Sequence, residues 1–213
     1  LARGGDGSVY AATANPGRIW RVREGREPEL VADLKKPLVT ALLPSGPREL
    51  VALSAPDGGA HFLDLAGKAP ARVVEAGAVK ALLGGTLVDG TLYAVGGGDE
   101  GALLRLAPGA SAFETVATVN ESYLRSVVGR AGRGGPFLVA GGADEGVVYR
   151  WESGRLRALV DAAPSEVTAL ALAEGGEAFA ALVDADGKLS DGATDRDKGP
   201  DEGHKGKTKA RKV

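Results

Sequence analysis

The stretch Gly101-Ala102-Leu103-Leu104-Arg105-Leu106, followed by a turn at Gly109, occurs four times along this chain in related forms. Each copy is a short apolar segment that leads into a glycine turn, and the four turn glycines are 42, 42 and 45 residues apart. Short strands between glycine turns, repeated with a period of about 40–45 residues, are typical of the blades of a β-propeller. The other copies are Gly17-Arg18-Ile19-Trp20-Arg21-Val22 with Gly25, Ala60-His61-Phe62-Leu63-Asp64-Leu65 with Gly67, and Gly146-Val147-Val148-Tyr149-Arg150-Trp151 with Gly154.

Three further kinds of segment repeat at the same period, and together with the first they make a four-stranded blade. One of these kinds is a nearly continuous run of small apolar residues. Such a run is typical of a strand buried between neighbouring blades, where polar side chains would lose their hydration. We expect this second strand of each blade near residues 8–13, 49–54, 91–96, 137–141 and 178–183. The first blade is expected to have only three strands, because no segment precedes its second strand in this pattern.

These repeats predict an all-β fold, a β-propeller built as an open arc of about four to five four-stranded antiparallel blades. Residues 1–187 form the blades, and the arc is interpreted as a fragment of a larger propeller. An open arc exposes an apolar blade face at each end, and Val9, Ala11, Leu170 and Leu172 are the candidates for those faces. Residues 188–213 are rich in glycine and charge, so we expect a disordered charged tail.

The third strand of each blade alternates more than the second, which indicates that one of its faces is partly exposed to water. Arg21, Asp64, Arg105 and Arg150 occupy equivalent positions in these four segments. In the turns that precede them, Asn, Asp and Gly are the residues that tolerate the positive φ of a tight hairpin.

Composition limits the classes of function that this chain can have. The 213 residues include 33 glycines, 11 prolines and no cysteine, and the net charge of the chain is −2. Disulfides and thiolate metal sites are excluded, and no apolar run is long enough for a membrane span. Residues 1–194 carry a net charge of −5 and the remainder +3, so a nucleic-acid surface on the blades is not expected. Only the tail is expected to make weak electrostatic contact with a nucleic acid, through Lys205, Lys207, Lys209, Arg211 and Lys212.

Two acidic turns could carry chemistry, because Asp99-Glu100 and Asp144-Glu145 lie at the same position of successive blades. They either form a ring of acids that binds a cation or a basic partner, or they are exposed hairpin acids; we favour the second reading. His61 and His204 are the only histidines and are expected to face solvent. Two isolated histidines provide neither a typical zinc site nor a recognisable triad, so no catalytic, cofactor or metal residue is assigned.

The segments Ser8–Thr13 with Gly17–Val22, and Thr91–Gly96 with Gly101–Leu106, resemble repeats of uncharacterised bacterial propeller proteins related to the NHL, WD40-like and quinoprotein-like propellers. The resemblance covers about residues 5–183 and implies the architecture without implying a function. It also implies export, to the periplasm or outside the cell, since proteins of this kind are often exported. The Gly-His and Trp-Asp marks of WD40 blades and the Trp-rich motif of quinoprotein dehydrogenases are missing, so a quinone cofactor is not expected.

We therefore expect a non-enzymatic scaffold or binding module whose loops on one propeller face bind a protein or another ligand. The alternative is a metal-dependent lyase or lactonase of the streptogramin-lyase or gluconolactonase kind. Its metal ligands would lie mostly in blades that this chain lacks, because His61 is the only histidine within the blades.

Overall fold

The computed structural model describes residues 1–66, 70–132, 135–161, 165–184 and 209–212, and these residues contain 19 strands and no helix. The strands form five sheets, called blades one to five, in which each strand pairs antiparallel with the next along the chain. Blade one contains β1 (Ala2–Arg3), β2 (Val9–Ala12), β3 (Arg18–Val22) and β4 (Glu29–Asp33), and blade two β5 (Leu38–Gly46), β6 (Glu49–Ala55), β7 (Gly59–Asp64) and β8 (Pro70–Glu75). Blade three contains β9 (Ala81–Val88), β10 (Thr91–Gly97), β11 (Gly101–Leu106) and β12 (Glu114–Val119), and blade four β13 (Leu124–Gly132), β14 (Gly135–Gly142), β15 (Val148–Glu152) and β16 (Arg155–Val160). Blade five contains β17 (Ser165–Leu172), β18 (Ala178–Asp184) and β19 (Lys209–Lys212).

The all-β arc of blades predicted from the repeats is confirmed, with a second strand in each of the five expected places. These strands are β2, β6, β10, β14 and β18. The expectation of three strands in blade one is wrong, because the two residues of β1 pair with Val9 and Tyr10 of β2. A strand of two residues is too short to show an alternating pattern, which is why the sequence did not reveal it.

The apolar core is divided into four clusters, each lying between two neighbouring blades. Between blades two and three, Val51 and Leu53 of β6 pack with Leu92 and Ala94 of β10, and all four side chains are almost fully buried. Because both faces of these second strands are covered, they need apolar residues at successive positions rather than at alternate ones. This explains the continuous apolar segments in the sequence.

The periodic glycines lie in the turns between the third and fourth strands. Gly25, Gly109 and Gly154 have φ angles of 66°, 75° and 74°, in the left-handed region that other residues rarely adopt. No atom lies within 4 Å of the position that a β-carbon would occupy at these three glycines. Backbone conformation rather than close packing therefore requires glycine here; Gly67 lies outside the described residues.

The apolar residues expected on the outer faces of the two terminal blades lie there in blade one but not in blade five. In blade one Val9 is 40% exposed, and Ala11 lies on the same face of β2, as expected. In blade five Leu170 and Leu172 instead pack against the cluster shared with blade four. A bulge between Val167 and Ala169 shifts the register, which exchanges the two faces for the residues that follow it.

Part of the predicted disordered tail is a strand. Residues 209–212 form β19, which pairs antiparallel with Phe179–Leu182 of β18. Pairing at the edge of a sheet uses backbone N–H and C=O groups, so a basic segment without an apolar pattern can join the sheet. The rest of the predicted tail, and the boundary between residues 187 and 188, lie outside the described residues.

Candidate functional site

One edge of the arc is formed by the turns between the second and third strands and by the connections between blades. Antiparallel pairing brings these segments to the same end of every blade. Backbone hydrogen bonds join them in an equivalent way in blades one, two and three. Gly17 N–H donates to Lys36 O at 2.8 Å, Gly58 N–H to Lys80 O at 3.1 Å, and Gly98 N–H to Ser122 O at 3.1 Å. We call this edge the loop face; it contains residues 13–17, 34–37, 56–58, 76–80, 98–100, 120–123 and 143–147.

The same connections also hold the next turn along the arc. Lys36 Nζ donates to the carbonyl oxygen of Asp57 at 3.3 Å. Lys80 Nζ donates to Asp99 Oδ1 at 2.8 Å. This hydrogen bond, and after it the attraction between the two charges, raises the pKa of Lys80 and lowers the pKa of Asp99. Turns of successive blades are therefore linked to each other through side chains as well as through the backbone.

The acids that the sequence singled out take part in these links. Asp99 pairs with Lys80, and Asp144 Oδ2 accepts a hydrogen bond of 2.5 Å from Ser122 N–H. Within the part of the chain that the structure describes, no three His, Asp or Glu side chains lie close enough together to hold a metal ion. The repeated position of Asp99 and Asp144 thus coincides with repeated contacts between blades.

The buried acid of the loop face is Glu121, which the sequence analysis did not identify. Its side chain is only 4% exposed and accepts hydrogen bonds from Asp144 N–H at 3.1 Å, Glu145 N–H at 3.3 Å and the Tyr149 hydroxyl at 2.9 Å. Burial and the hydrogen bond to Glu121 raise the pKa of Tyr149. A β-carbon at Gly142 would collide with the Glu121 carboxylate, so this turn of blade four is shaped around one acid.

No repeat in the sequence marks Glu121. Lys35 and Val79, which precede Lys36 and Lys80 as Glu121 precedes Ser122, share neither the charge nor the size of Glu121. A carboxylate present in only one connection does not stand out from the exposed acids of this chain.

His61 does not face solvent, and that expectation is wrong. In the register of β6 and β7 it lies opposite Ala52, on the face of blade two that packs against blade one. It is 3% exposed, and its Nε2 lies 3.0 Å from Ser54 Oγ. Burial lowers the pKa of His61, while the charge of Glu75 acts in the opposite direction. Ser54 is fully buried, so the Ser54–His61 contact cannot meet a substrate; His204 lies outside the described residues.

A shallow, open depression lies on the loop face where blade one meets blade two. Asp33, which lines it, accepts hydrogen bonds from Arg18 Nε at 3.3 Å and Lys35 Nζ at 3.1 Å, and the contacts with Lys35 contribute most to the lowered pKa of Asp33. Such a wide, charged surface suits contact with another macromolecule better than enclosure of a small substrate. The depression is lined by Asn15, Pro16, Arg18, Asp33, Lys35, Lys36 and Pro37.

Comparison by structure supports the architecture read from the repeats. The chain is similar to the crystal structure of the WD40 β-propeller domain of Doa1, with a TM-score of 0.67 over 86% of this chain and 62% of that one. The fold is that of a β-propeller. The two sequences are 12% identical, so the likeness of these propellers shows the fold alone.

No protein-family model and no curated protein matches the sequence. Among the residues that the structure describes, no helix is long and apolar enough to cross a membrane.

Proposed function

We propose that this chain is a non-enzymatic binding module that presents its loop face to a protein partner. The proposal includes the kinship with bacterial NHL-like and quinoprotein-like propellers that the repeat sequences suggest. The observation that carries it is the set of links between blades along the loop face. Lys36, Lys80 and Ser122 each accept a backbone hydrogen bond from one turn and donate a hydrogen bond to the next.

A surface held in this way has little conformational freedom to lose when a partner binds, and preorganisation of this kind favours affinity. The depression around Asp33 provides this surface with two positively charged side chains, the exposed Lys35 and the partly exposed Arg18. A protein partner fits better than a nucleic acid, because residues 1–194 carry a net charge of −5, which repels a polyanion.

The experiment compares proteins captured from a cell extract by the immobilised wild-type chain and by two charge-reversal variants. Lys35→Glu changes the loop face, and Arg26→Glu makes the same change in the exposed turn between β3 and β4, at the opposite end of blade one. We expect quantitative mass spectrometry to identify proteins that the wild type and Arg26→Glu retain and that Lys35→Glu loses.

Equal retention by all three proteins would place binding away from the loop face. Metal analysis of the purified wild type examines the enzymatic alternative. A stoichiometric divalent ion that is lost on changing His61, Asp99 or Asp144 would overturn the proposal.

A further inference from the structure

In each of blades one to four, three residues lie side by side on the second, third and fourth strands. This register position faces the following blade. From the second strand to the fourth it reads Tyr10, Arg21 and Glu29 in blade one, Val51, Phe62 and Arg72 in blade two, Tyr93, Arg105 and Glu114 in blade three, and Val139, Arg150 and Arg157 in blade four. The register corrects one expectation from the sequence, because Phe62 rather than Asp64 is the counterpart of the three arginines.

In the first three blades the residues on the third and fourth strands attract each other. Arg21 Nη2 lies 2.7 Å from Glu29 Oε2 in blade one, and Arg105 Nη1 lies 3.3 Å from Glu114 Oε2 in blade three. In blade two the guanidinium of Arg72 stacks over the Phe62 ring, 4.2 Å from its centroid, a favourable cation–π contact.

Blade four breaks this rule by placing Arg157 opposite Arg150. Like charges directly opposite each other on neighbouring strands destabilise a sheet. Arg150 is compensated along its own strand by Glu152, whose carboxylate lies 2.5 Å away, and Arg155 stands opposite Glu152 in the register. Three arginines therefore share one carboxylate. We call Arg150, Glu152, Arg155 and Arg157 the arginine patch.

The arginine patch is exposed to solvent and carries a net positive charge. Arg155 and Arg157 are both exposed, and neither belongs to an ion pair among the described residues. Beside the patch, the Phe137 ring is stacked by Arg150 at 4.8 Å and by Arg130 at 5.6 Å. Arg130 Nη1 also donates to the backbone carbonyl oxygen of Glu174 in the β17–β18 turn. The surplus positive charge of the patch therefore lies on β16, which carries the exposed Arg155 and Arg157.

We propose that the arginine patch binds an acidic peptide segment in an extended conformation, with carboxylates at alternate residues. Arg155 and Arg157 lie on the same face of β16, about 7 Å apart along the strand. Carboxylates two residues apart on an extended peptide have the same spacing, and a guanidinium binds a carboxylate through two parallel hydrogen bonds. The acidic segment would supply the negative charge that Glu29 and Glu114 provide within blades one and three.

A peptide fits this patch better than a single-stranded nucleic acid does. Bases bind proteins largely by stacking on aromatic rings, and Phe137 is 9% exposed. The negative net charge of the blades also opposes a polyanion, whereas a short acidic segment meets only the local positive charge. This site lies on the flank of blade four, away from the loop face, and does not depend on the function proposed there.

The test is fluorescence anisotropy with a labelled peptide of alternating Glu and Thr residues, and with a control peptide in which Gln replaces Glu. We expect the wild type to bind the acidic peptide, more weakly as salt rises, and to ignore the Gln peptide. Arg157→Glu should weaken binding at least about tenfold. The same change restores the pair found in blades one and three, so the melting temperature should stay equal or rise, and a folding defect cannot account for the loss.

Arg26→Glu is the matched control, because it makes the same change of charge on blade one and should leave binding within about twofold. The proposal is overturned if Arg157→Glu binds as well as the wild type, or if Arg26→Glu weakens binding equally. It is also overturned if the Gln peptide binds as tightly as the Glu peptide. Tighter binding of an oligodeoxythymidylate with the same number of charges would assign the patch to nucleic acid instead.

Discussion

Replacing Glu121 by alanine tests whether one buried carboxylate holds the acidic turn of blade four. The change removes the acceptor for Asp144 N–H, Glu145 N–H and the Tyr149 hydroxyl. Hydrogen bonds to a charged group contribute about 1.5–3 kcal/mol each, and a buried donor left without a partner costs about 1–3 kcal/mol. Since the turn can relax and admit water to some of these donors, we expect a net loss of about 3–5 kcal/mol.

For a domain of this size, 1 kcal/mol corresponds to about 2–4 °C, so Glu121→Ala should lower the melting temperature by about 10 °C. Hydrogen exchange gives the local readout, because the amides of Asp144 and Glu145 should lose protection before those of β10 and β11. Glu100→Ala is the matched control: Glu100 is an exposed acid in the corresponding turn of blade three, and its loss should cost less than about 0.5 kcal/mol. If Glu121→Ala melts within about 1 °C of the wild type and both amides remain protected, the carboxylate does not hold the turn.

Three further predictions concern single residues. Burial lowers the pKa of His61 below its ordinary 6.5, so the unfolded chain takes up a proton more readily than the folded chain. The free energy of unfolding should therefore be highest above about pH 6.5 and decline as the pH falls below it. Urea titrations should find this decline reduced in His61→Leu. Gly109→Ala should cost about 1 kcal/mol in the same titrations, because its φ of 75° is strained for alanine although no atom obstructs the methyl group; an unchanged midpoint would contradict this reason. Lys80→Ala should lower stability slightly at low salt and not at all in about 1 M salt, where exposed charges are screened; a loss that persists at high salt would show that the link acts through something other than charge.

Features that depend on the backbone of one hairpin could be predicted from the sequence. The positive φ angles at Gly25, Gly109 and Gly154 recur because blades one, three and four need the same turn between their third and fourth strands. The second strands were located closely for a similar reason, since a strand covered on both faces must be apolar throughout. These requirements are local, and each blade repeats them.

Contacts between blades could not be predicted in the same way. The direction in which His61 points is set by its register with Ala52, and one residue of slip would turn it to the other face. A single bulge after Val167 reverses the faces of Leu170 and Leu172. Neither register nor a bulge leaves a mark in the pattern of apolar residues, so the sequence indicated the strands without indicating which neighbour each side chain meets.

The residues that set this propeller apart are those that depart from its own repeat. The ion pairs of Arg21 with Glu29 and Arg105 with Glu114 repeat one contact in blades one and three, and the stability of the blade alone explains them. Arg157 replaces an attractive partner with a repulsive one, and stability gives no reason for that exchange. An acidic ligand does give a reason, because it would supply the missing negative charge from outside the chain.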